Sequence, residues 1–227
     1  MPASVAVIVA AYNEADRLPA TLAAVRSAFP DARVLVADDG SVDGTEHAAL
    51  QAGVELVRSP VTIGKGGVCT LAARRVLEGD GTPPEVVVLC DGDLGPSAGE
   101  LPRLVAALDV DGGADLAIGA FARRVGGGVG AALGFSRWAT RRLGGVELGA
   151  PISGQRALRT ALLPALLPFA PRFGMETAMN IDAARAGHRI VEVELDLEHR
   201  ATGRTLGGFA HRFRQLLDFA RVYRDRR

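Results

Sequence analysis

Apolar runs recur through the first hundred positions, each bounded by polar or turn-forming residues. Val5–Ala11 (VAVIVAA) is an unbroken apolar run, the pattern of a strand covered on both faces. From Glu14 to Ala28, the residues Leu18, Leu22, Val25 and then Phe29 recur at helical spacing, and Pro30-Asp31 predicts the stop. Arg33–Ala37 reads as a second strand, ending in Asp38-Asp39-Gly40. Asp43 to Ala52 reads as a helix closed by Gly53, and Val54–Val57 as a short third strand. Lys65 to Leu77 is helical, and Glu85–Cys90 is a fourth strand running into Asp91-Gly92-Asp93. Strands and helices alternating in this order predict an α/β fold with a parallel sheet and right-handed crossovers.

Beyond Asp93 the pattern loosens. Ala98–Leu108 is expected to be helical and Asp115–Gly119 to be a strand. Gly126–Gly130 is glycine-rich and is expected to be mobile. Arg156–Leu167 is apolar and broken by proline, and Glu176–Ala186 predicts a helix closed by Gly187. In Arg189–Leu197, Val191, Val193, Leu195 and Leu197 alternate with Glu192, Glu194 and Asp196, as in a half-buried strand. Thr205 to Arg227 is amphipathic, with Leu206, Phe209, Phe213, Leu216, Ala220 and Tyr223 as its apolar stripe. No repeat or linker interrupts the chain, which predicts one domain over residues 1–227. Its parts are 1–95, 96–204 and the C-terminal helix at 205–227.

Composition narrows the classes. The chain has 227 residues, 48% apolar and 23% charged, enough for a large core without disulfide or structural metal. Lysine plus arginine total 26 and so do aspartate plus glutamate, which argues against a nucleic-acid partner. Cys69 and Cys90 lack metal-ligand or redox-motif spacing and read as buried thiols in a reducing compartment. No stretch reaches the ~18 apolar residues of a spanning helix, and no secretory leader is read at the N-terminus. A cytoplasmic location is expected, with peripheral attachment at the inner face of a membrane left open.

Candidate chemistry sits where an open parallel sheet binds ligands, at the carboxyl ends of its strands. Tyr12-Asn13-Glu14, Asp38-Asp39-Gly40-Ser41 and Asp91-Gly92-Asp93 all fall there. Carboxylates converging on one crevice repel one another unless a divalent cation compensates them. The oxygens of Asp91 and Asp93 suit Mg²⁺ or Mn²⁺, which in turn binds phosphate oxygens. Gly64-Lys65-Gly66-Gly67 opens a helix, and backbone N–H groups beside a cation favour a phosphate. Lys65 is the chain's single lysine, set between glycines, which points to a local need for a point charge.

In order and spacing, VAVIVAAYNEADRL, VADDGSVDGT, IGKGG and VVLCDGDL resemble glycosyltransferase family 2, whose fold is GT-A. The resemblance is close over residues 4–94. It continues more loosely through SGQRAL (153–158), FGMETAMNIDAARAGHRIVEVEL (173–195) and EHRATGR (198–204). The second half is similar to the polyprenyl-phosphate sugar transferases and also to the phosphoglycerate glucosyltransferases. The resemblance implies a Rossmann-like, mostly parallel sheet flanked by helices. It also implies a nucleotide-sugar donor of the UDP-glucose or GDP-mannose type, and Mg²⁺ or Mn²⁺. Ala11, Tyr12, Asn13 and Glu14 would lie at the nucleoside. Asp39 would bond the base, with Asp38 supporting its turn, and Lys65 would touch the diphosphate or base edge. Asp91 and Gly92 would face the ribose and metal, and Asp93 would ligate the metal. His199 is expected as a third ligand, with Arg200 or Arg204 clamping the leaving diphosphate.

On the acceptor side, Ser153, Gln155 and Arg156 match an SGxRA segment. Arg156 reads either as a partner for an acceptor phosphate or as a surface strand arginine. Glu176 stands where a carboxylate base is expected, or else serves as a helix N-terminal charge. Many family members carry Glu-Asp here, whereas this chain has Glu176-Thr177. An acceptor that is itself a phosphate needs little base assistance, so the departure leans towards a phosphorylated acceptor. Polyprenyl phosphate comes first, and a small soluble phosphate ester such as a phosphoglycerate second. A non-catalytic sensor of nucleotide-sugar is the reading from another class. From Arg200 onward there are eight arginines and two aspartates. The expectation is a helix whose apolar stripe packs on the domain and whose arginines are solvated, rather than one resting on anionic lipid.

Overall fold

The computed structural model describes residues 3–79, 81–110, 112–121, 130–197 and 206–227. One seven-stranded sheet, in the order β3-β2-β1-β4-β6-β5-β7, runs through both halves of the chain. Its first half is β1 (Val5–Ala11), α1 (Leu18–Ala28), β2 (Arg33–Asp38), α2 (Thr45–Gln51), β3 (Glu55–Arg58), α3 (Lys65–Leu77) and β4 (Val86–Asp91). These are the expected elements, with ends shifted by a few residues. The largest shift is at α1: Glu14 lies before the helix, and its carbonyl accepts the N–H groups of Arg17 and Leu18.

The central strands are apolar throughout because both faces are covered. Val7 and Val9 point into a core with α1 and α4, whereas Ala6 and Ile8 point into a second core with α3 and α7. Burying such side chains contributes roughly 1.5–3 kcal/mol each. Register then aligns the strand ends: Ala11 pairs with Asp38, and Ala10 with Asp91, in parallel ladders.

The second half departs more from expectation. A 3₁₀ turn (Gly95–Glu100) precedes α4 (Pro102–Ala107), where one longer helix is expected, because Pro102 restarts the chain at a helical N-terminus. β5 (Leu116–Phe121) follows, then α5 (Gly130–Gly144), an element not anticipated from the sequence. Residues 122–129, which hold most of the glycine-rich stretch, lie outside the described residues. β6 (Arg156–Arg159) is a second unanticipated element. It runs antiparallel to both β4 and β5 and wedges between them. The proline-broken segment after it forms a 3₁₀ turn and the short α6 (Leu163–Leu166). α7 (Gly174–Arg185) and β7 (Ile190–Leu195) match their predictions, and β7 pairs in parallel with β5.

The final helix α8 (Leu206–Arg226) packs against α5 and α7. Among the described side chains its contact face follows the expected stripe only in part: Tyr223 meets Phe135 and Trp138 of α5. Asp218, Phe219 and Val222 are buried, while Ala220 is exposed and Leu216 and Tyr223 are half-buried. The reason lies in α7. Gly174 lets Val222 approach closely, and Asp182 takes both Arg226 Nε and Nη2, at 2.7 and 2.6 Å. The side chains of Leu206, Phe209 and Phe213 are outside those described. Truncating the fully enclosed Phe219 to Ala should lower stability by about 3 kcal/mol; the shift in urea midpoint measures it.

Candidate active site

Two loop ends are stitched together at the carboxyl edge of β1 and β2. Asn13 takes a left-handed backbone (φ 55°), which asparagine tolerates, and its Oδ1 accepts the N–H of Val42. Its own N–H donates to Ser41 Oγ, and the N–H of Glu14 donates to Thr45 Oγ1. Tyr12 stands half exposed beside them. Asp38 is fully buried. Its Oδ1 accepts the N–H and hydroxyl of Ser41, and its Oδ2 forms an ion pair with Arg58 Nε at 3.0 Å.

Asp39 reaches the other way. Its Oδ1 accepts the N–H groups of Ile63 and Gly64 at 2.7 and 2.9 Å, which fixes the turn leading into α3. Burial raises the Asp39 carboxyl above its ordinary value; the two N–H bonds oppose the rise and the neighbouring Asp38 adds to it.

Lys65, the first residue of α3, joins three elements. Its Nζ lies 2.6 Å from Asp91 Oδ1 at the end of β4 and 2.8 Å from Glu176 Oε1 in the first turn of α7. Asp91 Oδ2 accepts from Gln155 Nε2 at 2.8 Å, and Ser153 Oγ donates to Gln155 Oε1. Burial works against the Lys65 charge, but the Asp91 and Glu176 carboxylates outweigh it and hold the ammonium above the ordinary lysine range. Two glycines make the assembly possible. A Cβ on Gly154 would collide with the Asp91 carboxylate and Lys65 Nζ, and one on Gly66 with the carbonyl of Ala170. Thr21 of α1 adds a brace. Its hydroxyl donates to the carbonyl of Gly92 and accepts the N–H of Gly95, both at 2.8 Å.

The structure therefore gathers Tyr12, Asn13, Glu14, Asp38, Asp39, Lys65, Asp91, Gly92 and Asp93 along one sheet edge. Ser153, Gln155 and Glu176 approach it from the second half. Lys65 is held by the Asp91 and Glu176 carboxylates at the edge where the donor is expected. Arg156 departs from the expectation of a surface arginine. It is fully buried, and its guanidinium donates to the carbonyls of Ser153 and Pro151 and to Asn180 Oδ1. It is not a surface arginine; it braces the loop that carries Ser153 and Gln155. Gly154, Thr21 and Asn180 were not singled out from the sequence. Only Gly154 left a trace there, as the glycine within SGQRAL. His199, Arg200 and Arg204 lie outside the described residues.

Among the described residues no three His, Cys, Asp or Glu side chains gather into a metal site. The local donors nonetheless fit a hard divalent cation. Asp93 is half-buried just past the end of β4, no described side chain pairs with its carboxylate, and Asp91 precedes it by two positions. One or two carboxylates completed by water and phosphate oxygens is the usual arrangement for Mg²⁺.

A sheet ordered 3-2-1-4, with acidic loops at its switch point and an antiparallel strand beyond, is the GT-A arrangement of the nucleotide-sugar transferases. Residues 6–148 match the family model described as glycosyl transferase family 2, and the chain belongs to that family. It is 35% identical over 212 residues to an undecaprenyl-phosphate mannosyltransferase of Micrococcus luteus, covering 86% of this chain and 84% of that protein. A polyprenol monophosphomannose synthase of Mycolicibacterium smegmatis is 36% identical over 140 residues, 60% of this chain and 49% of that one. Among solved structures, glucosyl-3-phosphoglycerate synthase of Mycobacterium tuberculosis, in complex with Mn²⁺, UDP and phosphoglyceric acid, superposes with TM-score 0.77 at 27% identity. That match covers 97% of this chain and 78% of the synthase. The same enzyme with Mg²⁺ and UDP gives TM-score 0.79 at 26% identity, covering 97% and 79%.

Two outcomes follow from this geometry. Replacing Lys65 by Met leaves Asp91 and Glu176 facing each other uncompensated and should cost about 3 kcal/mol of stability. Because the folded pKa of Lys65 is raised, its contribution is fully present below the ordinary value of 10.5 and is lost only as pH rises through the higher folded value. Urea midpoints of the two proteins should therefore differ by a constant amount across neutral and mildly alkaline pH. Cys69 and Cys90 are free and buried, and burial pushes the Cys69 thiol up to about 12 and Cys90 well above its ordinary value. Neither should react with a thiol reagent at mildly alkaline pH until the protein is unfolded.

Proposed function

We propose that this transferase moves mannose from a nucleotide-linked donor to the phosphate of a polyprenyl phosphate, with Mg²⁺ or Mn²⁺ at Asp93 and Asp91. The observation that carries this reading is the state of Glu176. Its Oε1 is engaged by Lys65, and its side chain is 9% exposed. That is a poor arrangement for taking a proton from an incoming hydroxyl. A phosphate monoester is already anionic at neutral pH and needs no such base. Thr177, where many relatives carry a second acid, agrees. Its hydroxyl is bonded to Ser136 of α5 at 2.7 Å and is buried away from solvent. The names of the relatives from Micrococcus luteus and Mycolicibacterium smegmatis support both the sugar and the class of acceptor.

In this reading, the paired loops at Asn13 and Ser41 hold the nucleoside, with the Tyr12 ring at its rim. Asp39 keeps the turn before Lys65 in place. The divalent cation supplies charge stabilisation of the leaving diphosphate. Lys65 holds Asp91 and Glu176 in fixed positions, so the acidic edge is preorganised before donor arrives. His199, Arg200 and Arg204 are assigned to the metal and the leaving group on the family resemblance.

The test is transfer of labelled mannose from GDP-mannose, and of glucose from UDP-glucose, to a short-chain polyprenyl phosphate and to 3-phosphoglycerate. Mannosyl transfer to the polyprenyl phosphate is expected, and turnover of phosphoglycerate instead would replace the reading with the second one. Asp93→Ala should abolish Mn²⁺-dependent donor binding in calorimetric titration while leaving the unfolding midpoint within about 1 kcal/mol of the parent. Undiminished binding would overturn the metal assignment.

A further inference from the structure

α5 and α8 lie side by side over α7, forming an outer layer beyond the sheet. Along α5, Ala131, Gly134, Trp138, Arg141 and Arg142 are exposed at three- and four-residue steps, so they share the face turned away from α7. Ser136 and Thr140, on the opposite face, are fully buried. The exposed face carries the chain's only tryptophan, 41% exposed. Its ring contacts Tyr223 of α8 and Phe135, with centroids 4.7 and 5.4 Å away. On α8, Leu217, Ala220, Arg221 and Arg224 are likewise exposed.

Charge on this layer is one-sided. α5 holds three arginines and no acidic residue. The acidic groups near the patch are Glu147, which pairs with Arg141 at 3.3 Å while both are well exposed, Asp225 beside Arg224, Asp218, which pairs with Arg221, and Glu192, whose carboxylate accepts the N–H groups of Gly149 and Ala150. Exposed pairs of this kind offset little of the cationic field. Trp138 helps to line an open cavity of about 550 Å³, together with Arg137, Arg141, Glu147, Leu148 and Gly149. Arg137 sends Nη2 to the carbonyl of Gly149, but its buried Nε has no hydrogen-bond partner. Two arginines against one carboxylate, under an aromatic rim, suit an anionic headgroup.

We propose that the outer face of α5 and α8 docks on an anionic lipid bilayer. Trp138 and Leu217 enter the headgroup boundary, Arg141, Arg142 and Arg224 meet the lipid phosphates, and the hollow beside Arg137 receives one headgroup. Amphipathic aromatic rings belong at that depth, and arginines near an anionic surface add attraction individually. The proposal deepens the polyprenyl-phosphate reading and rests on it for its purpose. α5 touches the helix bearing Glu176 through Ser136 and Thr177, so a bilayer on this face lies against the element that holds the acceptor side of the site. It revises the expectation that the C-terminal arginines are simply solvated.

Because Trp138 is the sole tryptophan, its fluorescence reports the contact directly. The full chain is mixed with vesicles of phosphatidylcholine alone, or of equal parts phosphatidylcholine and phosphatidylglycerol, without donor or polyprenyl phosphate. The expected result is co-sedimentation and a blue shift with the anionic vesicles only, both reversed by salt, together with quenching by lipids brominated near the headgroup. Arg141→Glu/Arg142→Glu/Arg224→Glu should weaken partitioning about a hundredfold, and the triple Lys variant should retain it. Absence of a shift, equal binding to neutral vesicles, or sedimentation without quenching of Trp138 would overturn the proposal. Mannosyl transfer to a detergent-dispersed short-chain acceptor is measured in parallel and reads the acceptor assignment separately. Loss of vesicle binding with transfer intact sinks the docking surface alone, and the converse sinks only the acceptor.

Discussion

The Lys65 ammonium, lodged between Asp91 and Glu176, ties the two halves of this enzyme into one site. Asp91 ends β4 of the first half, Glu176 opens α7 of the second, and Lys65 is the first residue of α3. Without the cation, two carboxylates would face each other in a partly desolvated crevice. With it they are held at hydrogen-bond distance and still carry one net negative charge. Gly66 and Gly154 are required because a side chain at either position would occupy space taken by the Ala170 carbonyl or by the ion pair itself. An unbranched lysine suits this position because its ammonium presents three donors from a point charge and can serve two carboxylates from different directions.

Behind that pair stands a second layer of polar contacts. Arg156 is a fully buried cation satisfied by amide and main-chain oxygens, and burial pulls its pKa down to about 10, with the more distant Glu176, Glu192 and Asp91 charges opposing. Its hydrogen bonds hold the 151–155 loop, whose Gln155 in turn orients Asp91. Asp39 plays a matching part on the other side by fixing the turn that delivers Lys65. The strand-end loops, Asp91 and Glu176 are thus positioned by buried and half-buried polar contacts. Preorganisation of this kind lowers the reorganisation needed when charge develops on a leaving diphosphate.

The helical layer of α5, α7 and α8 connects this crevice to the outside of the molecule. α7 carries Glu176 at one end and Asp182, the anchor of α8, at the other. α5 touches the residue next to Glu176 and presents Trp138 on its far face. An acceptor with a long apolar tail and a phosphate head would have to be met at a bilayer surface, and this layer presents exposed Trp138 beside Arg141 and Arg142.

The sequence by itself determined the first half. Strands covered on both faces must be apolar throughout, and parallel connections must place the loops after β1, β2 and β4 on one edge. The positions of the acidic and glycine-lysine motifs on that edge therefore follow from the sequence. What only the tertiary structure decided is everything that depends on long-range pairing. β6 spans four residues, too few for a period to register, and it becomes a strand because β4 and β5 flank it. α5 begins and ends in glycine and is a helix because α7 and α8 cover its sides. In the described part of α8, Asp218, Phe219 and Val222 are buried rather than Ala220 because Gly174 and Asp182 offer contacts that periodicity cannot reveal. Arg156 and Lys65 carry the same charge in the sequence. One is buried among carbonyls and the other clasped by carboxylates, because the partners of each come from elements far along the chain.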